Sequence, residues 1–95
     1  MRVKVRTIGS LRSLLGAGEL EFVLPAGGRV EDLLGAIGET SGEDVARLLV
    51  AVDGRRVPPP LRVMVNGRDI GALDGTDTLM HDADDVLILT PLAGG

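Results

Sequence analysis

Val86-Leu87-Ile88-Leu89-Thr90, followed by Pro91-Leu92-Ala93-Gly94-Gly95, puts the most apolar run of the chain directly before a bare Gly-Gly carboxylate. A continuous aliphatic and β-branched run of this length predicts a central strand covered on both faces. Glycine has no Cβ, so Gly94 and Gly95 can pass through a slot that rejects any side chain. The Gly95 carboxylate is an anion near neutral pH. Extended at about 3.3–3.6 Å per residue, the chain from Pro91 onward reaches on the order of 15 Å. That is enough to enter another protein's active site while the domain stays outside. Terminal glycines also simply fray, and taken alone the ending favours that plain reading. What precedes it shifts the balance.

Working outward, Asn66-Gly67 is a turn signal that closes a strand over Leu61 to Val65. Residues 2–8 alternate as a half-buried strand with Val3 and Val5 inward. Ser10 is placed to cap a helical turn bearing Leu11, Leu14 and Leu15, which the glycines at 16 and 18 stop. Glu19 to Leu24 reads as a second strand with Leu20, Phe22 and Leu24 on one face. Val30, Leu33, Leu34 and Ile37 then mark one helical stripe, with Glu31 and Asp32 in the favourable first turn. Ser41-Gly42-Glu43-Asp44 starts another helix carrying Val45, Leu48 and Leu49. Val50-Ala51-Val52 and Arg56-Val57 read as short strands flanking Asp53-Gly54. Pro58-Pro59-Pro60 is a rigid connector, and residues 68–80 are mostly turns.

Composition removes several classes of function. Ninety-five residues make one domain, divided here into residues 1–91 and a flexible tail over 92–95. With Phe22 the sole aromatic, the core is aliphatic. No cysteine is present, so no disulfide, thiolate metal site or cysteine nucleophile exists. The net charge of −4, with no basic cluster, argues against nucleic acid. No apolar stretch approaches the roughly 18 residues that span a bilayer, and Met1-Arg2-Val3-Lys4 opens a strand pattern, not a leader. A cytoplasmic domain with no membrane partner is expected. Asp82, Asp84 and Asp85 lack the remaining ligands and glycine of a calcium loop, so no metal site is expected. They and His81 read as a polar surface turn.

The order strand, strand, helix, then further strands suits an α+β fold: a mixed sheet wrapped around one main helix, with short extra helices. With first and last strands side by side at the centre, this is the ubiquitin-like β-grasp. Leu61-Arg-Val-Met-Val-Asn-Gly-Arg-Asp-Ile70, together with Leu79 to Gly95, resembles the MoaD/ThiS family of ubiquitin-like sulfur carriers. Val3-Lys-Val-Arg, Leu11-Arg-Ser-Leu-Leu15, Leu24-Pro-Ala-Gly and Val30-Glu-Asp-Leu-Leu34 extend the resemblance over nearly the whole chain. It implies that a ubiquitin-activating-type adenylyltransferase uses ATP to adenylate the Gly95 carboxylate. A sulfur donor, usually a persulfide on another protein, then displaces AMP and leaves a Gly95 thiocarboxylate. An acceptor enzyme such as the large subunit of molybdopterin synthase would take the sulfur, with Leu92, Ala93 and Gly94 passing into its site. The chain itself would be a cosubstrate with no bound cofactor, not an enzyme.

The resemblance points first to the small subunit of molybdopterin synthase, in molybdenum cofactor biosynthesis. Such subunits end in a Pro-Pro-Val-Ser/Ala-Gly-Gly pattern after a Gly-Asp-Glu-Val turn, whereas this chain has Thr90-Pro91-Leu92-Ala93 and Ala83-Asp84-Asp85-Val86. The missing turn glycine puts the expected left-handed residue at Asp82 or Asp84. The tail also resembles carriers for cysteine biosynthesis, and thiamin carriers are typically shorter. A protein modifier joined through Gly95, and a plain ubiquitin-like interaction module, remain alternatives of other classes. Period two sends Leu87 and Leu89 to the face opposite Val86 and Ile88, with Met64 beside them. These three residues are the candidate docking patch.

Overall fold

The computed structural model describes residues 1–16, 18–59 and 61–90. Its strands are β1 (Arg2–Ile8), β2 (Glu19–Val23), β3 (Arg62–Val65), β4 (Arg68–Asp69) and β5 (Asp85–Leu89). Its α-helices are α1 (Ser10–Leu15), α2 (Val30–Ser41) and α3 (Glu43–Val50). The strands form one sheet in the order β2-β1-β5-β3-β4. At its centre β1 and β5 run parallel, with Val5 opposite Val86 and Ile8 opposite Leu89. The other neighbours are antiparallel. First and last strands therefore meet in the middle, as the β-grasp expectation requires.

The apolar period of each element decides which face is covered. Along β1, Val3, Val5 and Thr7 are buried while Arg2, Lys4, Arg6 and Ile8 face outward. Val63 and Val65 of β3, with Val86 and Ile88 of β5, continue the inner face. Val30, Leu33, Leu34 and Ile37 of α2 and Val45 and Leu49 of α3 join the same core cluster. The core is aliphatic throughout, so its specificity rests on the fit of branched side chains. Asp32 helps start α2 by accepting the Arg29 backbone N–H at 2.8 Å, which satisfies a group the helix leaves free.

Several local expectations need correction. Val50 ends α3 and the Val52 N–H donates back to Leu49 O at 3.1 Å, so residues 50–52 close a helix and form no strand. Asp53 and Arg56 do pair across a tight turn, but as an isolated bridge. Residues 68–80 are mostly turns, as expected: after the two-residue β4, 3-10 turns follow at Ile70–Ala72 and Gly75–Asp77. β5 has its inner face fully buried and Asp85, Leu87 and Leu89 only half-buried, so it is central without being covered on both faces.

The turn before β5 also departs from expectation. Its left-handed residue is Ala83, at φ 69°, and not Asp82 or Asp84. The Ala83 N–H donates to Arg2 O at 2.7 Å and the Asp84 N–H to His81 O at 3.1 Å, which pins the corner on residue 83. The left-handed conformation costs an alanine roughly 1–2 kcal/mol, while glycine gives back about 0.4–1 kcal/mol through a freer unfolded chain. Ala83→Gly is therefore expected to stabilise the domain by about 0.5–1 kcal/mol, raising Tm by about 2–8 °C in a thermal melt.

Candidate functional site

The outer face of the sheet divides into two zones. Towards the start of β5 it is laced by ion pairs: Arg2 with Glu21 at 3.5 Å, Lys4 with Glu19 at 3.4 Å and Arg6 with Asp85 at 3.0 Å. Arg62 and Asp69 pair at 3.5 Å on the far side. Such exposed pairs add about 0–1 kcal/mol each to stability. Their main consequence is that the charges on this face are largely internally matched.

Towards the end of β5 the same face turns apolar. Met64 sits opposite Leu87, and Leu89 lies between Arg62 on β3 and Ile8 on β1. Met64, Leu87 and Leu89 are each half-buried, so the three predicted docking residues do share one face. Ile8, at 50 % exposed, is more open than any of them. The β1 alternation puts Ile8 on the outer face, but its spacing does not set it beside Leu89. Only the parallel pairing with β5 brings it against Leu89. Arg6 and Arg62 flank the patch in register with Leu87 and Leu89.

Thr90, directly after β5, is fastened to the turn between β1 and α1. Its N–H donates to Ile8 O at 2.9 Å, and its hydroxyl donates to the same carbonyl at 3.0 Å. The hydroxyl also accepts the Leu11 N–H at 3.0 Å. Ser10 was expected to cap this helix; instead Gly9 is the N-cap residue, with no side-chain cap, and Thr90 supplies the acceptor. Gly9 has φ 97°, and a Cβ there would run into the Thr90 carbonyl and lie 2.6 Å from its Oγ1. The predicted tail residues Leu92, Ala93, Gly94 and Gly95 lie outside the described residues.

The acidic turn is structural. Asp82 accepts the Arg2 N–H at 2.8 Å, Asp85 is engaged by Arg6, and Asp84 is buried. The Asp84 carboxylate accepts the His81 N–H at 2.7 Å and the Asn66 side-chain amide at 2.9 Å. Asn66 in turn accepts the Asp85 N–H at 2.9 Å. These bonds hold the start of β5 to the β3–β4 turn. Among the described residues no group of three or more His, Asp or Glu side chains is arranged to hold a metal. No helix among them is long and apolar enough to cross a membrane.

A β-grasp sheet with an apolar patch beside the root of a Gly-Gly tail defines the class of ubiquitin-like sulfur carriers and modifiers. Residues 5–95 match the ThiS family, and the chain belongs to that family. Small archaeal modifier protein 3 of Haloferax volcanii is 30 % identical over 95 residues, covering all of both chains. The solution structure of small archaeal modifier protein 1 from Methanosarcina acetivorans has TM-score 0.72 at 27 % identity, over 99 % of this chain and 96 % of that one. The crystal structure of the Amycolatopsis orientalis BexX/CysO complex has TM-score 0.69 at 26 % identity, over 98 % of this chain and 99 % of the matched one.

Proposed function

We propose that this chain is a sulfur-carrying cosubstrate whose reacting group is the Gly95 carboxylate. The observation that carries the reading is the continuity of the patch formed by Ile8, Met64, Leu87 and Leu89 with Thr90, from which the Gly-Gly tail departs. A carboxylate is a poor acylating agent. An activating enzyme bound to the patch would join Gly95 to the AMP portion of ATP and release pyrophosphate. A persulfide sulfur would then attack the acyl carbon as AMP leaves, and a thiol would reduce the resulting acyl disulfide to free the thiocarboxylate. The first acceptor to test is the large subunit of a molybdopterin synthase, followed by acceptors in cysteine or thiamin biosynthesis. The Amycolatopsis orientalis complex supports a carrier gripped by a second protein.

A modifier reading has its own support in the full-length similarity to a small archaeal modifier protein. In it, the activated Gly95 carbonyl is transferred to a lysine amine on a target. Both readings require the terminal glycine. The chain without Gly95 is expected to lose about 95 % or more of ATP-dependent activation, because its new terminal carboxylate stops about 3.3–3.6 Å short of the reacting position. The check is incubation with native extract, ATP and sulfide, followed by mass analysis of the protein fraction. A free thiocarboxylate indicates the carrier, and a Gly95–lysine isopeptide indicates the modifier. Full activation without Gly95 rules out both.

A further inference from the structure

We propose that Thr90 is a positioning residue that fixes the direction in which the tail leaves the domain and couples it to the docking patch. The inference rests on the carrier or modifier reading, since both need Gly95 delivered to an activating enzyme. The Ile8 carbonyl accepts both the N–H and the hydroxyl of Thr90, while the Ile8 side chain is the most exposed member of the patch. One residue therefore anchors the tail root with its backbone and offers its side chain to the partner. The Leu11 N–H donates to the Thr90 Oγ1, so the hydroxyl bridges the end of β1 and the first turn of α1.

Gly9 completes the clasp. Its φ of 97° and the absence of a Cβ let the chain turn within contact of the Thr90 carbonyl. A residue with a side chain would push the two segments apart. Any backbone could follow β5 through a ladder hydrogen bond. The hydroxyl adds a second bond to the Ile8 carbonyl and a bond from the Leu11 N–H of α1, which together hold the Thr90 side chain in one orientation. Five residues separate Thr90 from the end of the sequence. Holding their root in one orientation confines the space through which the Gly95 carboxylate searches, which favours reaction by orientation and not by tighter docking.

The test is steady-state activation of the intact chain by the ATP-dependent activating enzyme of its native cell, with the chain as the varied substrate. Thr90→Val keeps the shape of the side chain and removes both hydroxyl bonds. We expect kcat to fall about tenfold with KM within twofold of wild type, the pattern of an interaction that matters at the reacting step. Thr90→Ser restores the hydroxyl and is expected to recover most of the rate. Ile70→Val, a modest truncation of a buried residue in the turn after β4, controls for general loss of stability. If the Val variant does not fold, Thr90→Ala makes the same comparison. An unchanged kcat in Thr90→Val, a change confined to KM, or no recovery with Ser overturns the inference. Failure of the wild-type chain to be activated overturns the carrier and modifier readings instead.

Discussion

Leu87→Asp is expected to weaken binding to the activating enzyme about a hundredfold while leaving the domain folded. Leu87 faces outward from the central strand, between Arg6 and Met64 in the cross-strand register. It is half-buried in the free chain, so placing a carboxylate there costs the fold little, and Arg6 stands beside it. Docking is different. Closing an apolar partner surface over the new carboxylate strips it of water, and an unpaired charge buried in this way costs about 3 kcal/mol or more. A hundredfold change corresponds to about 2.8 kcal/mol. Calorimetric titration of the wild-type chain and of Leu87→Asp into the activating enzyme measures the loss, with a thermal melt to show that the fold survives. Equal affinity for both chains would show that partners grip another face.

The second large effect falls on stability. Asp84→Ala is expected to cost about 3 kcal/mol. The buried carboxylate accepts from the His81 N–H and the Asn66 amide, and hydrogen bonds to a charged group contribute about 1.5–3 kcal/mol each. Its loss leaves two donors unmatched beside the start of β5. It also loosens Asn66, which holds the Asp85 N–H. For a domain of this size the corresponding fall in Tm is about 12–24 °C. Denaturant unfolding with an unchanged m-value would confirm that the effect lies in the folded state. A fall under 1 kcal/mol would mean that water replaces the carboxylate without penalty.

The parts of this fold that were legible in the sequence are those written in side-chain period. Val3 and Val5 and the Val30-Leu33-Leu34-Ile37 stripe bury the faces their spacing predicts, and the Val86–Leu89 run is a central strand, though only its Val86 and Ile88 face is covered. What stayed hidden depends on partners far away in the chain. The cap of α1 comes from Thr90, separated from Leu11 by 79 positions, so Ser10 looked like the only local candidate. β4 is two residues long, too short for any alternation to register. Val50-Ala51-Val52 has the spacing of a strand, but the preceding helix continues through Val50. Ala83 carries the left-handed turn because the hydrogen bonds to Arg2 and His81 place it there, against the preference of its side chain.

The proposed docking patch shows the same division. Period two along β3 and β5 brings Met64, Leu87 and Leu89 to one face, but Ile8 joins them only through the parallel register of β1 on β5. The ion pairs that balance the rest of that face also depend on register, since Arg6 meets Asp85 and Arg2 meets Glu21 across strand boundaries. Lys4, the one lysine in the sequence, sits in this belt beside Glu19. If the chain modifies other proteins, building chains upon itself has a single, already paired lysine acceptor.

The most direct test of the central claim is an intact mass spectrum of the protein isolated from its native cell. The carrier reading predicts a fraction heavier by one sulfur-for-oxygen exchange, localised to the peptide ending in Gly95. An unmodified Gly95 that persists after incubation with the cell's own extract, ATP and a sulfide source would contradict it.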